Sequence, residues 1–256
     1  MPQNYPEFVS ALQVLKSKGK TPMYLPAKDS WVFTSALLMG ANTLYRQNPD
    51  YDEALLSGKV KFDSAGWRTA FTRLISLGKQ GYYDPALNLG IDSTQAMNEF
   101  TAGRAAFIVH GNWMASGVKK TNPALKFGFM AFPGGPAKSK PIGIVLGGVT
   151  LSVNAKSKNI QAARKYLAFW AQDKNLKEWL TSSSSFSPLK GGSTSLIAEM
   201  QPFAAAVADD RTINFPLSAW PAGFETPWST TTVKTVFQGQ NLTTALRGLD
   251  TEFNKK

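Results

Sequence analysis

Phe100-Thr-Ala-Gly103-Arg-Ala-Ala-Phe-Ile-Val-His110-Gly111-Asn112-Trp113 carries three structural signals in one short run. Upstream of it, Asp92 is a candidate N-cap for a helix over Ser93 to Ala102, since a short acidic side chain can accept from the free amides of a first turn. Gly103 then supplies the left-handed stop. Ala105 to Val109 is a short apolar, partly β-branched run ended by a polar turn, which predicts a strand. Helix, glycine, strand and an aromatic just past the strand end make a unit of a mixed α/β chain.

Working outward, the same alternation continues. Glu7 to Lys18 predicts a helix with Phe8, Leu12 and Leu15 on one face and Gly19 as its stop. Met23 to Leu25 predicts a strand, and Val32 to Tyr45 a buried helix. Ser64 is a candidate cap for a helix that carries Trp67, Phe71 and Leu74 on one stripe and ends at Gly78. Downstream, Phe127 to Phe132 and Ile142 to Val153 predict strands joined by the turn cluster Pro133-Gly134-Gly135-Pro136. That cluster lacks the spacing and the following helix of a phosphate-binding P-loop.

Ile160, Ala163, Leu167 and Trp170 recur at i, i+3, i+7 and i+10, so a helix capped by Asn159 or Ser157 is expected to face a core. Asn175 to Leu180 predicts another helix and Thr181 to Ser187 a polar loop. Two closing helices are expected at about Ser229 to Phe237 and Leu242 to Phe253. No internal repeat is visible.

Composition removes several chemistries. The 256 residues hold 28 Lys+Arg against 17 Asp+Glu, a formal charge of +11, with one histidine and no cysteine. Disulfide frameworks, cysteine nucleophiles and Cys/His metal sites are therefore out, and no metal or cofactor is expected. At 43% hydrophobic and 18% charged the chain is long enough to bury a sizeable core in one domain or two. Its apolar stretches fall well short of the ~20 residues that cross a bilayer as a helix. Met1 to Glu7 has neither a basic nor an apolar leader region, so no secretory signal is expected in the chain. From Thr101 to Gln172 there is no acidic residue, while ten lysines and arginines fall there. Such a stretch reads either as a solvated surface or as an electrostatic face for nucleic acid or an anionic surface.

The Phe100 to Trp113 run, Phe127-Gly-Phe-Met-Ala-Phe-Pro133-Gly-Gly, Gly147-Gly148 and the helix ending Tyr166-Leu-Ala-Phe-Trp170 occur in a recognisable order. Together with Phe186-Ser-Pro188 and the opening Tyr5-Pro-Glu7-Phe8 to Gly19-Lys-Thr-Pro22, this order resembles the extracellular solute-binding proteins of ABC sugar importers, the class that includes maltodextrin-binding protein. The resemblance covers essentially the whole chain. It implies an α/β, type II periplasmic-binding-protein-like fold of two lobes, here truncated at the N-terminus, since the family's first third precedes the segment where this sequence begins. Residues 1–128 and 174–256 would then lie mainly in the second lobe, and 129–173 would be a remnant of the first. Capture of a carbohydrate between lobes, weakened here by an incomplete cleft, and delivery to membrane permease subunits would follow. A monomer outside the cytoplasm with no nucleic-acid partner is implied as well.

Sugar recognition in such clefts sets aromatic faces against pyranose C–H patches and polar groups against hydroxyls. By resemblance, Trp113 is the stacking residue, Asn112 lies in the same turn, Trp31 is a second cleft aromatic, Asp29 a hydroxyl acceptor, and Trp228 a third stacking position for which Trp220 competes. Gly147 and Gly148 would bring backbone close to ligand, or simply bend a strand. His110 could touch a ligand, but a lone strand-end histidine is more often a structural group. Trp67, Trp170 and Trp179 sit inside predicted helices and default to packing. Catalysis has little to stand on: Asp29 and Glu225 could in principle pair for glycoside hydrolysis but no spacing demonstrates it, and no GxSxG elbow presents a serine.

Overall fold

The computed structural model describes residues 1–148, 150–189 and 196–255, with Ser30 by its backbone alone. The chain opens with α1 (Tyr5–Ser17), started by Asn4, whose Oδ1 accepts from the Glu7 amide, and stopped at Gly19 with φ +67°. β1 (Thr21–Tyr24) leads through an extended segment into a 3-10 turn at Ser30–Phe33. α2 (Thr34–Gly40) follows and runs into a π turn at Ala41–Tyr45. Then come α3 (Tyr51–Leu56), α4 (Ala65–Lys79), α5 (Pro85–Gly90) and α6 (Ser93–Thr101). β2 (Ala105–Ile108), α7 (Met114–Thr121) and β3 (Gly143–Val145) precede α8 (Ile160–Trp170) and α9 (Asp173–Ser183). The chain closes with α10 (Gln201–Ala208), β4 (Thr212–Asn214), α11 (Glu225–Phe237) and α12 (Leu242–Phe253).

Both strand pairs are parallel. β1 pairs with β2, Met23 opposite Phe107, and β3 pairs with β4, Val145 opposite Asn214. Parallel strands need long crossovers, here supplied by helices. The main core lies around α4, whose Trp67, Phe71 and Leu74 are fully buried as the stripe predicts. Gly40 lets α2 approach: a Cβ there would stand 2.6 Å from the Trp67 ring. α12 is tied in through Asp250, whose carboxylate accepts from the backbone amides of Phe62 and Asp63.

A single buried asparagine secures the segment that passes from Phe132 to β3. Asn42, in the π turn, donates to the carbonyls of Phe132 and Ile142 and accepts from the Ile142 amide at 2.9 Å. Arg73 and Arg46 donate to the Gly134 and Lys140 carbonyls, and Arg211 to that of Pro141. This is how an irregular Pro/Gly segment satisfies its backbone without a ladder.

Several expectations are corrected. Phe127 to Phe132 is not a strand: Phe129 spends its amide on the Glu199 carbonyl instead, and Phe132 joins the main core. Of the strand expected over Ile142 to Val153 only Gly143–Val145 forms, and Val149 lies outside the described residues. The helix over Ile160–Trp170 forms, but none of its residues is buried. Ile160, Ala163, Leu167 and Trp170 are half-buried while Tyr166 and Phe169 are exposed, because α9 is the element packed against α8. The Ser-rich run begins as helix rather than loop, with the hydroxyls of Thr181, Ser182 and Ser183 satisfied on the carbonyls of Lys177 and Trp179 and so not drawing the backbone out of the helix.

Candidate functional site

The parallel pair β1–β2 delivers two turns from the same end of the sheet. Past β1, Asn88 clamps the chain: its Oδ1 accepts from the Leu25 amide at 2.7 Å and its carbonyl from the Ala27 amide at 2.9 Å. Lys28 donates through its backbone to Ile91, and the Asp29 carboxylate accepts from the Ser93 amide at 2.6 Å, which docks the start of α6 and fixes the turn that presents Trp31. Ser93 holds the Asp29 carboxyl below its usual value, with Lys28 and His110 adding a smaller pull. Past β2, Val109 donates to Tyr24 and the chain turns through His110-Gly111-Asn112 into Trp113, the N-cap of α7. Open α/β sheets present ligand-facing residues at this carboxyl end of their strands.

The two turns bring Trp31 and Trp113 together, ring centroids 6.3 Å apart at 66°. Both are large aromatics left half in solvent, 46% and 53% exposed, where most tryptophans are buried. Trp31 stacks at 5.9 Å on the buried Phe33, which stiffens it from behind. Phe215, just after β4, approaches Trp31 at 6.4 Å. The sequence reading missed this residue, although an aromatic in the turn past a short strand is the signal that marks Trp113.

Gly111 is required where it stands. A Cβ on it would lie 2.1 Å from the Trp113 ring, so the indole rests directly on the glycine backbone. The His110 ring sits 5.7 Å from that indole, and its Nδ1 accepts from the Gly111 amide at 2.9 Å. Burial pushes the His110 imidazole below its usual pKa, against opposing pulls from the Gly111 contact and the Asp29 charge.

The remaining expected residues divide. Asn112 turns its amide inward and donates to the Ser184 carbonyl at 2.7 Å, while Ser116 donates to the Ser182 carbonyl, so the Trp113 turn is latched to the end of α9. Gly147 and Gly148 are exposed, with open space where a Cβ would be, and leave β3 at the same end from which β4 delivers Phe215. Trp228 is a correction. It is 0% exposed and packs against Trp67 at 5.0 Å and Trp220 at 5.3 Å, because it opens α11 on the face turned to the core. Trp220, its competitor, is buried as well.

Trp31 and Trp113 thus form an open ledge rather than a closed pocket. Two surface hollows, of about 470 and 540 Å³, lie elsewhere, against Tyr82 and Tyr83 in one case and Gln95 and Arg104 in the other.

The family model of the bacterial extracellular solute-binding proteins matches residues 1–207. The chain is 26% identical over 264 residues to the diacetylchitobiose binding protein DasA of Streptomyces coelicolor, covering 100% of this chain and 59% of that protein. It is 22% identical over 217 residues to the multiple sugar-binding protein of Streptococcus mutans, covering 82% of this chain and 50% of that one. Among solved structures, a chitin oligosaccharide binding protein superposes with a TM-score of 0.79 at 22% identity, covering 100% of this chain and 66% of that chain. The chain therefore spans little more than half the length of these curated relatives and about two thirds of the solved fold.

Proposed function

This chain belongs to the family of bacterial extracellular solute-binding proteins, and from that premise we propose that it is the carbohydrate-binding component of an ABC importer. The observation that carries the proposal is the Trp31–Trp113 ledge. Two rigid aromatic faces left in solvent at the carboxyl ends of parallel strands suit the apolar faces of pyranose rings. The Asp29 carboxylate and the backbone at Gly147 and Gly148 are the hydroxyl partners we assign to that ligand. Trp228 is left out of this set.

The relatives are a multiple sugar-binding protein, a diacetylchitobiose binding protein and a chitin oligosaccharide binding protein, which supports sugars, chitin-derived oligosaccharides among them, as the ligand class. In this reading the protein works outside the cytoplasm as a monomer without catalysis. Ligand bridges two lobes, stabilises the closed state, and permease subunits in the membrane read that state. Residues 1–128 and 174–256 make up most of one lobe, and 129–173 is a remnant of the other. A nucleic-acid role for the basic stretch draws no support from the geometry. Arg104, Lys119 and Lys140 pair with Glu99, Glu199 and Asp209, acids from outside that stretch.

The test is a tryptophan-fluorescence titration with diacetylchitobiose, a chitin tetrasaccharide and raffinose. A saturable change that Trp113→Ala abolishes supports the proposal. A flat response to the whole panel refutes it.

A further inference from the structure

We propose that His110 is a positioning residue for the Trp113 face: its neutral imidazole holds the Gly111 backbone on which the indole rests, and a proton on Nδ1 releases that face and weakens carbohydrate capture. The inference deepens the proposed function and rests on it.

The geometry is a chain of three contacts. Nδ1 stands 2.9 Å from the Gly111 amide, the place of an acceptor, which the neutral ring with its hydrogen on Nε2 supplies. The same nitrogen lies 3.4 Å from the Gly111 carbonyl oxygen. A protonated Nδ1 can no longer accept from the amide and instead has a donor to offer to that carbonyl. The carbonyl is already the acceptor for the Met114 amide, the first turn of α7, at 3.2 Å. The Gly111 carbonyl has a second lone pair for that donor, but a hydrogen on Nδ1 would also face the amide hydrogen of Gly111 across 2.9 Å, and relieving that repulsion means rotating the Gly111 peptide planes. Glycine is the residue most free to do so. The indole lies so close that a Cβ would sit 2.1 Å from it, so the Gly111 backbone cannot turn without displacing Trp113.

The electrostatic surroundings suit a switch. The charges near the ring come from the β1 turn: Asp29, and beyond it Lys28, which is paired with Asp92 at 3.6 Å. α7, which follows, carries its basic Lys119 and Lys120 in its last turn, away from the histidine. The latch opposite, at Ser182 and Ser184, is uncharged. Burial favours the neutral ring, and the Gly111 contact and the Asp29 charge oppose it.

The test has two arms. In the ligand-free chain, the indole N–H resonance of Trp113, identified by its loss in Trp113→Phe, and the Gly111 amide resonance are followed from pH 8 to pH 4.5. Both are expected to move with one shared midpoint that matches the imidazole ¹⁵N titration of His110, and His110→Gln, which keeps an acceptor but takes up no proton, is expected to remove the transition. A Trp113 resonance that stays flat through the titration of His110 overturns the inference. In the second arm the Kd for diacetylchitobiose is measured across the same range. Binding is expected to weaken about tenfold below the midpoint, the scale of one lost hydrogen bond, and to become pH-independent in His110→Gln. Coupled resonances with no saccharide binding at any pH would refute the carbohydrate reading while leaving the His110–Trp113 coupling in place. Binding that ignores pH while Trp113 titrates overturns the switch alone.

Discussion

Trp31 and Trp113 meet edge to face at 6.3 Å although each belongs to a different turn of the chain. The edge of one ring supports the other and leaves an indole face open, the preferred arrangement of aromatic pairs. Parallel pairing of β1 with β2 creates the relationship, because both strands release their chains at the same end of the sheet.

Removing one ring of this pair separates binding from stability. Trp113→Ala is expected to weaken saccharide binding by about 2 kcal/mol, roughly thirtyfold, as for a central aromatic anchor. Its thermal unfolding is expected to change by less than about 0.5 kcal/mol, since the ring is 53% exposed. Isothermal titration and calorimetry on the same variant check both numbers.

Trp228 behaves in the opposite way. It is wholly buried, and its indole nitrogen finds no hydrogen-bond partner among the described residues. Trp228→Ala is expected to cost about 3–5 kcal/mol of stability through the cavity it opens. A urea titration reads this directly, and a wild-type midpoint in the variant would show that the ring does not carry the core.

Asn42 is the residue on which the segment from Phe132 to β3 depends. Asn42→Ala leaves two carbonyls and one amide without their partner in a buried place. Unmet buried groups cost about 1–3 kcal/mol each, partly relieved by water, so a loss of about 3 kcal/mol is expected. Hydrogen exchange at Ile142 should accelerate in step with that loss.

Acid is expected to loosen the two turns in sequence. His110 has a folded-state pKa below its ordinary value, so its contribution is present in full above about pH 6.5 and is lost as pH falls through the folded value. Asp29, also held low, contributes above about pH 4 and is lost as pH falls below that through its own folded value. A melting-temperature profile should therefore fall in two stages. Asp29→Asn should start lower at pH 7 and show a smaller second stage, the remainder coming from Asp63, Glu99, Glu199 and Asp209, which basic partners also hold low.

Much of this fold is legible in residue order because local signals coincide with tertiary need. Asp92 forms a full capping box with Gln95, Gly19 and Gly103 take up left-handed conformations, and the α4 stripe is buried to the last residue. The site is legible in part. Trp31 and Trp113 follow short strands, and a turn aromatic at a strand end is a readable pattern. Trp228 is not separable from them by sequence, since an aromatic that opens a helix can face either way, and packing against Trp67 and Trp220 decides it. The strands fail for a related reason. Phe127 to Phe132 and most of Ile142 to Val153 have strand composition, but hydrogen-bonded neighbours are what make a strand, and side chains such as Asn42 and Arg211 take those positions. α8 shows the converse, a correct period whose stripe stays half-buried.

In the proposed function it is the exposed tryptophans, and not the buried ones, that receive a saccharide. Indole N–H spectra of the ¹⁵N-labelled chain, recorded during titration with diacetylchitobiose, test it most directly, because all seven tryptophans report separately. The resonances of Trp31 and Trp113 should shift along one saturable curve, in the millimolar range for so open a ledge, while those of Trp67, Trp220 and Trp228 stay still. Unchanged spectra up to saturating sugar, or shifts confined to the buried set, would contradict the account.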